Sequence, residues 1–346
     1  MTLLHNDPTG FVAAIQRKAE LLQAGHEAGR DAAPAGLRAD GLLFTGMGFS
    51  GFAADLVRDA ATRDLDIPFT VIKHYQFPHH VKPGWHTIAM SYSGDTEETL
   101  AVTKEALRRG VDATAFTTGG TLSKLVKRVV PQPRGYQPRA AFAHNWFSVL
   151  GFLEGSGLLK DRVPVADCAA AVKDVDKTCG PDIPEDANEA MQLARQLAGP
   201  VPKIYATPSF HGVATHFRGT LNENAKKIAE IDLVPECNHN DLTGWGGDVE
   251  NRRHYAVVCL SHTDQNPEML KRLAFMEKSY RSWGVPWHNK TFRGLHAFRE
   301  HVVEQARAVQ FFDYVSVYVA ALRGQDPANI RDIAALKAFL RKDKAV

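Results

Sequence analysis

The chain has 346 residues, of which 44% are hydrophobic and 23% charged, the balance of a globular protein with room for two ordinary domains. A formal net charge of +2 excludes the broad basic field that a nucleic-acid binder needs. The opening residues carry neither a basic n-region nor an apolar h-region, and no run reaches the roughly 18 apolar residues that span a bilayer, so a membrane partner is excluded and a cytoplasmic location is expected.

Phe11, Ile15, Ala19 and Leu22 recur at helical spacing and predict an opening helix over 8–29. Strands and helices then alternate. Leu42-Leu43-Phe44 reads as a buried strand, followed by a helix over 51–61, a strand over 69–72, a strand–helix pair over 86–90 and 96–109, a strand over 111–117 and a long helix over 139–158. A polar, helical connection covers 164–198. The alternation restarts with a strand over 203–206, a helix over 211–227, strands over 255–260 and 286–290 either side of a helix over 267–283, and helices over 297–322 and 328–341. This rhythm predicts an α/β fold: two doubly wound, flavodoxin-like lobes with parallel sheets and right-handed crossovers, flanked by N- and C-terminal helices. The expected divisions are an N-terminal helical segment (1–38), a first lobe (39–160), a helical connection (161–198), a second lobe (199–325) and a C-terminal helix (326–346). Phe49-Ser50-Gly51-Phe52-Ala53 and Phe210-His211-Gly212-Val213-Ala214 each follow a strand and open a helix, a faint echo between the lobes.

The most informative stretch is Ser91-Tyr92-Ser93-Gly94-Asp95-Thr96-Glu97-Glu98-Thr99, which sits between a strand and a helix. Backbone N–H groups and the positive end of the helix dipole attract an anion there, and hydroxyls add neutral donors. Asp95 and Glu98 have the spacing of a capping box. Capping accounts for the acids but not for Ser91, Ser93 and Thr96 together, so a phosphate-type ligand is the expectation.

Gly46-Met47-Gly48-Phe49-Ser50-Gly51 formally satisfies the dinucleotide fingerprint G-x-G-x-x-G. The acid that should hold a ribose at the end of the next strand is missing, because that strand ends Ile72-Lys73-His74. Ser50 instead suits a second contact to the same anion. The 4 cysteines form no CxxC pair and read as reduced thiols, and the 15 histidines show no metal-binding spacing, so no metal or organic cofactor is expected.

The second lobe carries Asn222-Glu223-Asn224-Ala225-Lys226 and Pro235-Glu236-Cys237-Asn238-His239-Asn240-Asp241. Glu223 and His239 stand among asparagines suited to sugar hydroxyls. A carboxylate base and a histidine facing a bound phosphate suggest proton transfer on a sugar phosphate. Arg139 opens a largely apolar helix, where a cation could stabilise an enediolate; a guanidinium on the rim of the helix is the plainer alternative.

These segments, in this order, resemble the bifunctional phosphoglucose/phosphomannose isomerases, a branch of the sugar isomerase (SIS) domain proteins. The resemblance rests on the glycine loop, the serine-rich turn, Pro138-Arg139-Ala140, Glu223-Asn224-Ala225-Lys226, Pro235-Glu236-Cys237-Asn238-His239-Asn240 and Leu336-Lys337. It implies two SIS lobes and a homodimer whose active site draws on both subunits. Gly48, Ser50, Ser91, Ser93 and Thr96 would bind the substrate phosphate, and Glu223 would move the proton between C1 and C2 through a cis-enediol. Arg139 would steady the intermediate, His239 would assist ring opening from the other subunit, and Lys337 would contact the substrate. The chain departs from the family at Phe49, which implies a bulkier phosphate loop, and at Asp241, one methylene shorter than the usual glutamate. Residues 328–336 also lack the threonine associated with acceptance of both C2 epimers. The implied activity interconverts fructose 6-phosphate with glucose 6-phosphate, mannose 6-phosphate or both. The alternatives are a non-catalytic SIS sensor of sugar phosphates and an isomerase or deaminase of another phosphosugar.

Overall fold

The computed structural model describes residue 7 and residues 10–342 of the chain. Two short helices, α1 (Phe11–Gln16) and α2 (Lys18–Ala32), replace the single expected opening helix. The break falls at Arg17, whose backbone (φ −81°, ψ 8°) leaves the helical region, and residues 8 and 9 of the expected helix lie outside the described residues. The first α/β unit follows as β1 (Gly41–Thr45), α3 (Phe49–Ala61), β2 (Phe69–Ile72), β3 (Trp85–Met90), α4 (Glu97–Arg108), β4 (Asp112–Thr117), α5 (Leu122–Leu125), β5 (Arg128–Pro131) and α6 (Phe142–Gly155). Helices α7 (Val165–Cys179) and α8 (Glu189–Leu197) lead to the second unit. That unit comprises β6 (Val201–Ala206), α9 (His211–Ala225), β7 (Glu230–Leu233), α10 (Asp241–Gly247), β8 (Tyr255–His262), α11 (Pro267–Ser282), β9 (Trp287–Phe292), α12 (Phe298–Leu322) and α13 (Arg331–Lys342).

Both sheets are parallel throughout, ordered β2-β1-β3-β4-β5 and β7-β6-β8-β9. The shared start of this order places a topological switch point beside the first strand of each sheet, where open α/β sheets bind ligands at their carboxyl ends. Strands β5 and β7 were not predicted, and both are sheet edges of four residues. Their half-exposed sequences, RVVP and EIDL, offer no apolar run to read. The long helix begins at Phe142, not at 139, so Arg139 lies in the turn ahead of α6.

One continuous apolar core runs through both units, from Leu42 and Phe44 on β1 to Val315 and Val319 on α12. The helix pair α3 and α9 joins the sheets and runs antiparallel. A Cβ on Gly212 would lie 2.6 Å from the Leu56 backbone nitrogen, whereas one on Gly219 would meet the rings of Phe52 and Phe49 at 2.5 and 3.3 Å. Beside this pair a buried polar cluster ties three helices together: Lys18 on α2 pairs with Asp313 on α12, whose other oxygen lies 2.8 Å from His216 Nε2 on α9. Lys18 and Asp313 are only 5% and 4% exposed. Lys18→Met leaves a fully buried carboxylate without its ammonium, so urea denaturation should show a loss of about 3–5 kcal/mol; an unchanged midpoint would show that His216 alone satisfies Asp313.

Candidate active site

The glycine loop and the serine-rich turn leave the carboxyl ends of β1 and β3, which are neighbours in the middle of the first sheet. Gly48 enters α3 at φ 54°, ψ −132°, a backbone conformation open to glycine alone at low cost. Ser50 follows, buried in the first turn of α3. In the second turn Ser91 Oγ lies 2.8 Å from Thr96 Oγ1 and accepts the Gly94 N–H at 3.1 Å, and Ser93 Oγ accepts the Asp95 N–H at 3.3 Å. Gly94 has φ 75°, and a Cβ there would lie 1.9 Å from the Gly119 carbonyl oxygen, so this turn seats against the β4–α5 loop only with glycine. The N-cap of α4 is not the residue that the capping box would use. Thr96 is the N-cap of α4 without a side-chain cap bond, and the Asp95 carboxylate accepts the N–H and hydroxyl of Thr121 at 2.9 and 2.7 Å.

Glu223 stands at the last turn of α9, four residues beyond Gly219 and therefore on the same face of that helix. Because Gly219 touches Phe49 at the start of α3, Glu223 projects about one turn (~5.4 Å) past the N-terminus that carries Ser50. Its carboxylate accepts a hydrogen bond from Arg139 Nη1 at 3.2 Å. Arg139 is 4% exposed and also donates from Nε to Asn224 Oδ1, at 2.7 Å, and from Nη2 to the Pro327 carbonyl. Its guanidinium also lies 4.9 Å from the ring centre of Phe11. A guanidinium buried this fully and bonded to three partners is not a rim charge. Burial is the largest influence on Glu223 and raises its pKa above 4.5, with Arg139, Lys337 and Lys226 acting in the opposite direction.

Asn224 and the Pro327 carbonyl escaped the sequence reading as holders of Arg139. Asn224 is buried and donates to Ser316 Oγ at 2.9 Å, which fixes its amide orientation toward the guanidinium. The asparagine pattern around Glu223 was its signal, whereas a backbone acceptor 188 residues away leaves none. Lys226 Nζ donates to the Asp326 carbonyl at 2.5 Å and Gln137 Nε2 to that of Ala328 at 3.1 Å. The segment that leads into α13 is thus anchored at the site, and Lys337 on that helix is near enough to act on Glu223.

His239 is not part of this cluster within the chain. It ends a one-turn 3₁₀ segment after β7, is exposed, and its ring makes no hydrogen bond to a described residue. Two departures from the family have structural accounts. Phe49 does not crowd the phosphate loop: its ring is buried edge-on against Phe52, Phe142 and His216, at centroid distances of 5.1, 6.0 and 5.5 Å. Asp241 accepts the Tyr205 hydroxyl at 2.8 Å and lies 3.7 Å from Lys203 Nζ, which commits it to the second unit's core. The nucleotide alternative fails on geometry as well, since Lys73 follows β2 and pairs with Asp55.

Among the described residues no group of three or more His, Cys, Asp or Glu side chains is placed to hold a metal ion, and no helix is long and apolar enough to cross a membrane. The family of the bacterial phospho-glucose isomerase C-terminal SIS domain matches residues 186–340. The bifunctional phosphoglucose/phosphomannose isomerase of Pyrobaculum aerophilum is 34% identical over 310 residues, 87% of each chain. The enzyme of the same name from Aquifex aeolicus is 27% identical over 307 residues, 87% of this chain and 91% of its own. In fold, a glucose-6-phosphate isomerase like protein from Thermus thermophilus superposes with a TM-score of 0.60 at 17% identity, covering 94% of this chain and 93% of its own. Identity of 34% over 87% of both chains places this chain in the family of bifunctional phosphoglucose/phosphomannose isomerases.

Proposed function

We infer that the chain is an aldose–ketose isomerase that interconverts fructose 6-phosphate with glucose 6-phosphate and mannose 6-phosphate. Its relatives carry that activity in their names. The observation that favours it most is the pairing of buried Arg139 with half-buried Glu223, one helical turn beyond the start of α3. Gly48, Ser50, Ser91, Ser93 and Thr96 take the substrate phosphate, which carries C1 and C2 of the open-chain sugar toward Glu223. For an aldose, the Glu223 carboxylate removes the C2 proton and the electron pair of that bond forms the C1–C2 double bond of a cis-enediol. The charge gathering on O1 faces Arg139. Return of the proton to C1, with transfer of the O2 hydroxyl proton to O1, gives the ketose.

A homodimer fits two features of this chain. His239 is exposed and its ring has no hydrogen bond to a described residue, as suits a residue that completes a neighbouring subunit's site and assists ring opening there. On α13, Leu336 and Phe339 are 57% and 62% exposed, an apolar face that a second copy would cover. Lys337 on the same helix contacts the substrate. The absence of threonine from 328–336 leaves the balance between glucose and mannose epimers to the shape of the site around C2.

The reading is tested by NMR in D₂O, with EDTA and fructose 6-phosphate present. Deuterium at C2 of an aldose product, glucose 6-phosphate or mannose 6-phosphate, is expected, and the epimer ratio follows from the same spectra. Binding of the sugar phosphate without exchange would place the chain among non-catalytic sensors, and release of ammonia from an amino-sugar phosphate would mark a deaminase.

A further inference from the structure

Ser91 and Ser93 take the phosphate in the proposed reaction, whereas Tyr92 between them has no part in it. Its side chain leaves the hydroxyl-lined turn and crosses to the loop between β5 and α6. There the hydroxyl donates to the Pro133 carbonyl at 2.6 Å and accepts the Tyr136 N–H at 3.2 Å. It thus joins the two ends of a tight turn, in which Gly135 holds φ 84°. At the root of the side chain, the Tyr92 carbonyl accepts the N–H and hydroxyl of Thr118 at 3.1 and 2.8 Å. One residue is therefore fixed to the end of β4 by its backbone and to the β5–α6 loop by its phenol.

The loop beyond that fixed point carries Arg139, three residues after Tyr136. The chain between them closes into a turn, because the Gln137 carbonyl accepts the N–H groups of Ala140 and Ala141 at 2.9 and 3.1 Å. The Gln137 side chain donates to the Ala328 carbonyl, next to the Pro327 carbonyl that holds Arg139. A second tie to the first sheet, Arg134 Nη2 to the Thr118 carbonyl at 3.1 Å, is made by an exposed side chain, where water competes. The Tyr92 hydroxyl is the part-buried tie. What it holds in place is sensitive to displacement: Arg139 Nη1 meets Glu223 at 3.2 Å, long for a charge-assisted bond.

We propose that Tyr92 is a positioning residue, whose hydroxyl sets the 133–139 loop against the hydroxyl-lined turn and so holds Arg139 at its distance from Glu223. Its effect on rate rests on the isomerase reading; its effect on Arg139 does not. Burial raises the pKa of the Tyr92 hydroxyl above 10, so it remains a donor across the pH range of the test.

Tyr92→Phe keeps the ring and the backbone ties to Thr118 and removes the hydroxyl alone. The kcat should fall about tenfold, part of the 10²-fold that a misplacement of about 1 Å costs, with KM for fructose 6-phosphate within about twofold. A displaced Arg139 opposes the burial of Glu223 less, so the acid limb of kcat/KM should move to higher pH. Lys337 and Lys226, the other cations acting on Glu223, are not altered, so the move should be smaller than in Arg139→Ala. In an Arg139→Ala background the tyrosine substitution should change kcat no further. A readout without substrate comes from the full chain labelled with ¹⁵N in arginine. The Arg139 Nε–H signal, identified by its loss in Arg139→Lys, should exchange with solvent at least tenfold faster in Tyr92→Phe. An unchanged exchange rate, additive losses in the double variant, or a raised KM at unchanged kcat would overturn the proposal. A lower urea midpoint with the acid limb unmoved would do the same, marking a merely structural bond. A wild-type chain without isotope exchange, whose Arg139 signal still responds to Tyr92→Phe, would sink the isomerase reading alone.

Discussion

Glu223→Gln should reduce kcat by about 10³-fold, within the range of 10²–10⁴ that a positioned general base supplies, and leave KM for fructose 6-phosphate within a few-fold. The amide keeps the shape of the side chain and can still meet Arg139, so binding survives while the proton acceptor is lost. That reduction corresponds to about 4 kcal/mol of transition-state stabilisation. The pH profile carries a second signature. Burial raises the Glu223 pKa above 4.5, which favours the protonated form, so the base is lost as pH falls through a value higher than that of a free glutamate. The acid limb of kcat/KM should therefore lie above pH 4.5 in the wild type and vanish in the residual activity of Glu223→Gln. Turnover retained within tenfold, or an acid limb unchanged in the variant, would assign the base to another residue.

Arg139→Ala has the next largest expected effect, because three acceptors, one of them the Glu223 carboxylate, lose one partner together. Removal of a donor aimed at developing charge costs about 10²–10³ in kcat. The substitution also strips Glu223 of its strongest opposing cation. With that restraint gone the Glu223 pKa rises further, so the acid limb should move to higher pH as well as the rate falling. The buried Asn224 amide oxygen and the Pro327 carbonyl are left without their donor, and urea denaturation should show a loss of a few kcal/mol. Arg139→Lys separates the two roles. A lysine retains a charge but cannot span Glu223, Asn224 and Pro327 as a planar fork does, so it should restore the acid limb more completely than the rate. A rate within tenfold of wild type in both variants would reduce Arg139 to a structural tie between α9 and the segment before α13.

The two switch points show how far local pattern carries in this chain. The strands β1, β3, β6 and β8 are central, buried on both faces and read as apolar runs, so their presence and the turns at their ends were legible. The edges β5 and β7 were not, because a half-exposed strand of four residues is held by its neighbour's hydrogen bonds and not by its own hydrophobicity. The first helix read as continuous because its apolar spacing runs on through Arg17, and only the packing of α1 and α2 shows the break.

The hydroxyl-lined turn was legible in the sequence itself. Its chemistry lies within the local run from Ser91 to Thr96, where glycine and hydroxyls act over a few residues on a helix N-terminus. Membership of the family was equally legible, because the motifs that carry it are local and keep their order. The surroundings of Glu223, named from the sequence as the candidate base, were not. Glu223 resembles any helical glutamate until the antiparallel crossing of α3 and α9 brings it one turn beyond Ser50, and Arg139 joins it across 84 residues of chain. The same crossing gave the second echo motif a structural use, since Asp59 caps the Gly212 N–H at one end of the helix pair. Local sequence set the hydroxyl-lined turn; long-range packing set which cation meets Glu223, because burial and the distance to a cation are properties of the assembled core.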